Sequence, residues 1–571
     1  MPRPLLLVLG LIACRPPADP SHSATRTLTI VATNDFHGGL YEQIPKDQPD
    51  LRHGGLPWIV GAVDALRTEA PDLVLLDGGD VFQGDWPVNA TKGRGAVDAL
   101  DLIGVDAAAI GNHEFDYGPA TDGSGSPRRG ALEAGIARSK FQWLSANVAD
   151  ADGAPWRPDG LAAWTLIERD GVRLAVIGLT TQDTPQTTLL RHVDDLVFTD
   201  VVAAVQAVLP EVERADPDVV ALVGHLTGNC EPTSYFVPGE PCKPEGEIGR
   251  LLTELPRGTF DVMVLGHAHT VLAHRYEDTF LLENRYRGHA LGRVDLVIGP
   301  DGVDLDASRL HAPWPIEHPP ADPGCEPGEY DLTPRMLGER LVTPSAEAVA
   351  LIDALEAETG SLCAELGCAD AHLWRARDKE SPAGDFMADA MRHTFPTADL
   401  AVANSGGVRA DLPAGVVRRE HLQAMMPFDN RLLLVELRGA DLDALLTIGS
   451  SGGHGLLQVS GATYAFDPER TTGEDRDADG AIADWERDRL CSAAVGGAPI
   501  DPDRAYRVVV TDFLVGGGDH LGGPLANARV LEEGPLLREA LYDAMSARGG
   551  ECLGAVIDES APRIRVGACG D

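Results

Sequence analysis

The chain has 571 residues, 47 of them Lys or Arg and 88 Asp or Glu, so its formal charge is −41. A chain that acidic excludes a nucleic-acid polymer as the main partner, because phosphate contacts need a basic face. Hydrophobic residues make up 44% and charged residues 24%, the usage of a chain that folds, and the length allows two to four domains of about 100–200 residues each.

The first element is the short apolar run Leu5–Ile12, behind Arg3 and ahead of Ala13-Cys14. It cannot span a bilayer as a permanent helix, which takes roughly 20 apolar residues. Leu11-Ile12-Ala13-Cys14 is similar to a lipoprotein signal in which residues 1–13 are removed and Cys14 is lipidated. Residues 14–26, with their Pro, Ser and Ala, then read as a flexible tether. The expected location is the periplasm or cell envelope, with the membrane touched only through the anchor at Cys14.

From Thr27 to about Ile298 one design recurs: an apolar run ends abruptly in a polar cluster. Leu28–Ala32 leads into Thr33-Asn34-Asp35-Phe36-His37-Gly38, and Leu73–Leu76 into Asp77-Gly78-Gly79-Asp80. Ala107–Ile110 leads into Gly111-Asn112-His113-Glu114-Phe115-Asp116, Val219–Val223 into Gly224-His225, and Val262–Leu265 into Gly266-His267-Ala268-His269. Such runs are predicted to be buried strands of a layered α/β domain, with helices over Pro57–Glu69, Ala96–Ile103 and Asp200–Arg214 between them. Around residues 313–343 Pro, Gly and acidic residues mark a boundary, and Val349, Ile352 and Leu355 predict a connecting helix within 343–360. A second α/β region, 361–571, is predicted to carry strands near Leu400–Ala403, Leu432–Leu437 and Tyr506–Val510. Its helices are expected near Gly384–His393 and Ala440–Ile448.

Setting Cys14 aside, eight cysteines remain, an even number that in an exported chain reads as disulfides. The local pairs expected are Cys230 with Cys242 and Cys363 with Cys368, leaving Cys325, Cys491, Cys552 and Cys569 with three possible pairings. None has the CxxC spacing of a zinc site.

In open α/β sheets ligands gather beyond the carboxyl ends of strands. There this chain places Asp35, His37, Asp80, Asn112, His225, His267 and His269. Imidazoles, carboxylates and one amide are enough for two metal ions sharing a bridging carboxylate, and mixed N/O ligation suits zinc, manganese or a similar ion.

Asp35-Phe36-His37, Gly79-Asp80, Gly111-Asn112-His113-Glu114, Gly224-His225 and Gly266-His267-Ala268-His269 resemble the signature of the calcineurin-like metallophosphoesterases. More narrowly, the runs 33–38 and 111–118 resemble the periplasmic 5′-nucleotidase family, which includes UDP-sugar hydrolases and 2′,3′-cyclic-nucleotide phosphodiesterases. The resemblance implies a four-layer α/β/β/α metallophosphoesterase sandwich over 27–342, then a second α/β nucleotide-binding domain over 361–571. It also implies one metal on Asp35, His37, Asp80 and His269, the other on Asp80, Asn112, His225 and His267, with Asp80 bridging. His113 would act as the catalytic histidine, oriented by Asp116, and closure of the two domains would occur about the segment 343–360.

In the C-terminal region Asn404-Ser405-Gly406-Gly407-Val408-Arg409, Pro427–Asn430, Gln458–Gly461 and Phe513–Asp519 resemble the same family's nucleotide pocket. By that resemblance Phe428 and Phe513 sandwich the base, Asn430 and Asp519 bond base or ribose, and Arg409 with Asn404 faces ribose and phosphate. The family's usual Arg ahead of the helix beginning near Gly384 is replaced by Lys379, with Arg377 two residues earlier, and Asp385 replaces the usual Asn. Lys keeps the charge but loses the bidentate fork. The function expected is hydrolysis of nucleotide phosphate by metal-activated water. Rivals are a 2′,3′-cyclic phosphodiesterase with 3′-nucleotidase activity, a nucleotide-sugar pyrophosphatase on the same site, and a catalytically silent surface protein binding nucleotide or metal.

One motif lies outside the resemblance. Residues 475–486 fit a twelve-residue calcium loop, with Asp475, Asp477 and Asp479 at positions 1, 3 and 5, Gly480 at 6, Ala481 at 7 through its carbonyl, and Glu486 at 12. A structural calcium ion is expected there, although no helix precedes Asp475.

Overall fold

The computed structural model describes residues 25–569 except 46–47, 49, 121–126, 229, 232–242, 301, 326–327, 429, 477–480, 555–556 and 558–560. Cys14 therefore lies outside the described residues, as do Asp477, Asp479 and Gly480 of the calcium-type loop, the Cys242 partner expected for Cys230, and the Cys230 side chain.

Two sheets stack face to face in the N-terminal region. The first orders its main strands Gly302–Leu310, Ala290–Gly299, Arg26–Thr33, Val74–Asp77, Ala107–Ala109, Gln142–Leu144 and Leu161–Ala162. The second orders Val271–Tyr276, Thr279–Asn284, Val262–Gly266, Val219–His225, Val172–Thr180 and Trp164–Arg169. The strands that deliver the polar clusters are mutually parallel within each sheet. Alternation along one strand explains the layering: Ile30 and Ala32 join the apolar cluster between the sheets, while Val31 joins the cluster under the outer helices. A strand buried on both faces must be apolar at every position, hence the continuous runs. Helices Leu56–Glu69, Arg94–Ile103 and Gly130–Arg138 cover one outer face, and Val201–Arg214 with Gly246–Glu254 the other. The Val201–Arg214 helix starts where Asp200 accepts the Ala203 amide at 2.9 Å, satisfying a donor the helix leaves open. The result is the α/β/β/α sandwich.

The helix Ala346–Thr359 begins at Ser345, whose hydroxyl accepts the Ala348 amide at 3.2 Å. Its Ala348, Ile352 and Leu355 belong to the same apolar cluster as Trp58 and Val63 of helix Leu56–Glu69, so it is packed into the first unit. It ends at Gly360, whose φ of 85° only glycine adopts at little cost.

The C-terminal unit is a separate α/β domain. Its five-stranded sheet orders Leu457–Ser460, Leu400–Asn404, Ala505–Thr511, Arg431–Arg438 and Arg529–Leu536. Helices Pro382–Thr394 and Leu537–Ser546 pack on one face and Gly439–Gly449 on the other. Among the described residues two disulfides lie within it, Cys368–Cys552 and Cys491–Cys569, and a third, Cys325–Cys363, ties it to the chain ahead of residue 342. The expected Cys363–Cys368 pair is thereby overturned. Residues Glu365–Ala369 form a strand against Gly415–Arg418, and extended chain rises about 3.3 Å per residue, carrying two cysteines five positions apart beyond the roughly 7 Å Cα limit of a disulfide.

The two units meet around Trp86. Its indole is held on the first side by the Thr359 carbonyl, to which it donates at 3.2 Å, and from the C-terminal unit the Arg419 and Arg538 guanidinium groups lie 5.2 Å from its ring centroid. Asn89 donates to the Pro427 carbonyl at 3.4 Å, and Arg191 pairs with the buried Asp512 at 3.0 Å.

Candidate metal centre and substrate pocket

All seven sequence-predicted metal-type side chains converge at the carboxyl edge of the stacked sheets. Asp35, His37, Asp80, His267 and His269 have φ values of 49°, 43°, 55°, 93° and 55°, a left-handed backbone that costs a non-glycine residue about 1 kcal/mol or more. Interlocked backbone bonds hold that strain: Asp35 donates to the Gly79 carbonyl at 2.9 Å, His37 to Asp80 at 3.0 Å, and Gly38 to Val81 at 3.1 Å. Gly111 is required by close approach, since a methyl group there would stand 2.1 Å from Asp80 Oδ1.

Asp80 is central. Its Oδ2 lies 3.0 Å from His225 Nε2 and 3.7 Å from His37 Nε2. Asp35, His37 and His269 bring one ligand atom each within 4.8 Å of one another, and so do Asp35, Asp80 and His225. Asn112 Oδ1 lies 3.2 Å from His267 Nδ1, which is 3.1 Å from His225 Nε2. His225 Nδ1 donates to the Gly78 carbonyl and His37 Nδ1 to the Gln83 carbonyl, so each Nε2 faces inward, that of His225 on the Asp80 carboxylate, which helps hold the His225 imidazole up at about 9 against burial. That outer N–H contact is how metal-ligating histidines are oriented. Burial holds the His37 imidazole down at about 4 despite Asp80, which keeps it neutral. The Nε2 atoms of His37 and His269 stand 3.1 Å apart, a convergence of nitrogens and carboxylate oxygens that fits divalent cations of borderline softness.

His113 borders this cluster without joining it: its Nε2 is 4.0 Å from Asp80 Oδ2. Its Nδ1 lies 2.6 Å from Asp116 Oδ2, and Thr188 donates to the other Asp116 oxygen at 2.7 Å. Burial opposes charge on His113, but Asp116 and Asp80 outweigh it and hold the imidazole up at about 10.

Sequence reasoning gave no role to Glu114, although it stands inside a quoted motif. It is buried and its carboxylate accepts the amides of Asp80, Val81, Phe82 and Gly111 at 2.6–3.1 Å, tying two site loops together. Thr188, Gly78 and Gln83 were also missed. Their contribution is a backbone carbonyl or a single hydroxyl, for which residue type carries no signal.

In the C-terminal unit Asn404 donates to Asp519 at 2.9 Å, and the Arg409 guanidinium lies 5.6 Å from the Phe428 ring centroid while donating to the Gly406 carbonyl at 3.3 Å. Arg377 borders Gly406 and accepts the Leu456 amide at its carbonyl. Phe513 is 37% exposed and its ring lies against Gly518. Asn430 accepts the Leu537 amide at its carbonyl. The structure brings Asn404 to Asp519 and Arg409 to Phe428, while the Lys379 ammonium lies 4.9 Å from the Trp374 ring centroid. Asp475, Ala481 and Glu486 of the acidic loop are described, and Glu486 is buried with its carboxylate accepting the Arg476 amide at 2.5 Å and the Ala483 amide at 2.8 Å.

Residues 28–271 match the calcineurin-like phosphoesterase family, and residues 358–523 match the 5′-nucleotidase C-terminal domain. Fold, site and both matches define the class: a metal-dependent phosphoesterase. The chain belongs to the calcineurin-like phosphoesterases that carry a 5′-nucleotidase C-terminal domain. It is 26% identical over 537 residues to the trifunctional nucleotide phosphoesterase protein YfkN of Bacillus subtilis, covering 88% of this chain but only 32% of that protein's length. It is 26% identical over 566 residues to the human 5′-nucleotidase, covering 91% of this chain and 87% of that one. The crystal structure of a 5′-nucleotidase precursor from Thermus thermophilus shares the fold, with a TM-score of 0.62 at 23% identity, covering 95% of this chain and 99% of that one.

Proposed function

We propose that this protein is an exported phosphohydrolase that removes phosphate from nucleotides with two divalent cations, 27–342 being the catalytic unit, 343–360 the connection and 361–571 the substrate-binding unit. The convergence of seven ligand-type side chains on Asp80, with His113 and Asp116 beside them, carries this reading. Asp35, His37, Asp80 and His269 would hold one cation and Asp80, Asn112, His225 and His267 the other, zinc or manganese by donor type. Bound there, such a pair supplies an activated water and a clamp on phosphoryl oxygens.

The chain's own residues do the rest. Asp116 fixes the His113 ring by accepting its Nδ1 proton, which leaves Nε2 facing the cleft to steady the phosphoryl group or give a proton to the leaving oxygen. Phe428 and Phe513 would stack the base, Asn430 and Asp519 would bond base or ribose, Arg409 with Asn404 would face ribose and phosphate, and Lys379 with Arg377 would stand where the family's phosphate-side Arg is expected. Three disulfides among the described residues support folding in an oxidising compartment, and among those residues no helix is long and apolar enough to cross a membrane. Lipidation of Cys14 and a calcium ion on the 475–486 loop remain proposals from sequence.

Lys379 favours a second reading, a cyclic-nucleotide phosphodiesterase with 3′-nucleotidase activity or a nucleotide-sugar pyrophosphatase, because its ammonium is a weaker phosphate fork than Arg and rests on Trp374. Purified protein given manganese or zinc should release phosphate from AMP faster than it turns over UDP-glucose or 2′,3′-cyclic AMP. The opposite ranking selects the second reading, and no turnover of any of the three leaves a silent binding protein.

A further inference from the structure

The acidic loop ends against the substrate pocket. Trp485 leaves the short helical turn Asp484–Glu486 with its indole stacked on the His520 ring, centroids 4.2 Å apart and planes 6° from parallel. His454 lies 4.8 Å from the same imidazole, and its Nδ1 is 3.7 Å from Asp519 Oδ1. His520 directly follows Asp519, the acid that Asn404 bonds.

The backbone there is unusual. Gly517 has φ 106°, and Asp519 and His520 follow with φ 54° and 61°, two consecutive non-glycine residues in the left-handed region. L side chains rarely adopt that conformation, and it persists only where surrounding contacts determine it. Asp519 has the bond from Asn404, and His520 meets two rings, the tilted imidazole of His454 and, stacked nearly parallel, the indole face of Trp485. Trp485 is itself fixed from behind. Glu486 closes its loop through the Arg476 and Ala483 amides. Gly453 lets the Trp485 backbone come close, since a methyl group on that glycine would stand 2.7 Å from Trp485 Cβ.

We propose that Trp485 is a positioning residue of the substrate pocket: by clasping His520 it keeps Asp519 in the left-handed conformation that presents its carboxylate, beside Asn404, to the nucleoside part of the substrate. This rests on the nucleotide reading of the pocket. It also gives the acidic loop a role in substrate affinity, whether or not a cation occupies it.

The test is a double-mutant cycle on the full chain, read as KM and kcat for AMP and for p-nitrophenyl phosphate. Trp485→Ala should raise KM for AMP about tenfold with kcat, and p-nitrophenyl phosphate turnover, unchanged. Trp485→Phe, which keeps a stacking face, should restore most of the affinity. In an Asp519→Ala background Trp485→Ala should cost little more, because a residue acting through another is non-additive with it. Full additivity, equal losses on both substrates, or an unchanged KM in Trp485→Ala while Asp519→Ala raises it would each overturn the proposal. If Asp519→Ala itself leaves KM for AMP unaltered, the nucleotide reading of the pocket fails, and the proposal falls with it.

Discussion

The metal centre and the substrate pocket are both made of loops at strand ends, yet they are held by different forces. At the metal centre the loops grip one another through backbone bonds and through the buried Glu114 carboxylate, so five left-handed residues are fixed before any ligand arrives. At the pocket the left-handed pair Asp519–His520 has one backbone bond across it, Leu521 to the Gly518 carbonyl, and otherwise meets side chains, Asn404 on Asp519 and the Trp485 and His454 rings on His520, while Phe513 stays 37% exposed. The first arrangement suits chemistry, which tolerates little misplacement. The second suits recognition of a ligand that must enter and leave.

The largest expected effect lies on the rigid side. His113→Ala should lower phosphate release from AMP by about 10²–10⁴-fold, the usual contribution of a positioned acid or base, while bound metal by elemental analysis stays at the wild-type level, near two per chain on the proposed reading, because His113 stands outside the proposed ligand set. Loss of metal along with rate would place His113 among the ligands and blur the contrast between frame and chemistry.

Next comes the staple. Cys368 and Cys552 join points 184 residues apart, and replacing both by Ser should cost about 2–4 kcal/mol of stability in urea unfolding. The rate on p-nitrophenyl phosphate under native conditions should be untouched, because the bond lies in the unit without the metals. A matching fall in that rate would mean that the metal centre leans on the second unit.

The clamp is the third. Stacking a base on an aromatic ring is worth roughly 1–3 kcal/mol, so Phe428→Ala or Phe513→Ala should raise KM for AMP about tenfold with hydrolysis of p-nitrophenyl phosphate nearly unchanged. Equal losses on both substrates would indicate a folding defect.

The same contrast explains what could be read from sequence. Metal ligation admits few residue types, and Asp, His and Asn directly after apolar runs announce it at Asp35, Asp80 and His225. The layered sandwich was legible for a related reason: strands buried on both faces must be continuous apolar runs. Glu114 was on the page but mute, because its partners are backbone amides. Cysteine pairing misled at Cys363 and Cys368, where a strand that sequence did not mark keeps neighbours apart. Trp485 was invisible as a pocket residue, since only the tertiary fold brings it to His520 from 35 positions away. The pocket residues are expected through family likeness alone, because Gly-rich turns and single aromatics carry little chemistry of their own.

The last test concerns stability alone, at a buried acid where the family resemblance leads one to expect an amide. Asp385 is fully buried near the start of helix Pro382–Thr394 and neither of its oxygens meets a donor. Arg563 stands 3.8 Å from Oδ1 but is already engaged by both oxygens of Asp389. Burial, helped by the Glu380 carboxylate and opposed by Arg563, pushes Asp385 up to about 8, so at neutral pH it is protonated and offers the acceptor-plus-donor pattern of an amide. The folded pKa lies above the ordinary value of 3.8. Below that value both states are protonated and there is no penalty; between about pH 4 and 8 the unfolded chain ionises while the folded one does not, so stability falls as pH rises, and above about 8 the loss is complete. Asp385→Asn removes this dependence. Its melting temperature relative to wild type should therefore climb across that window and level off above it. A difference that is flat from about pH 5 to 9 would mean that Asp385 titrates normally and that the substrate unit carries no buried proton.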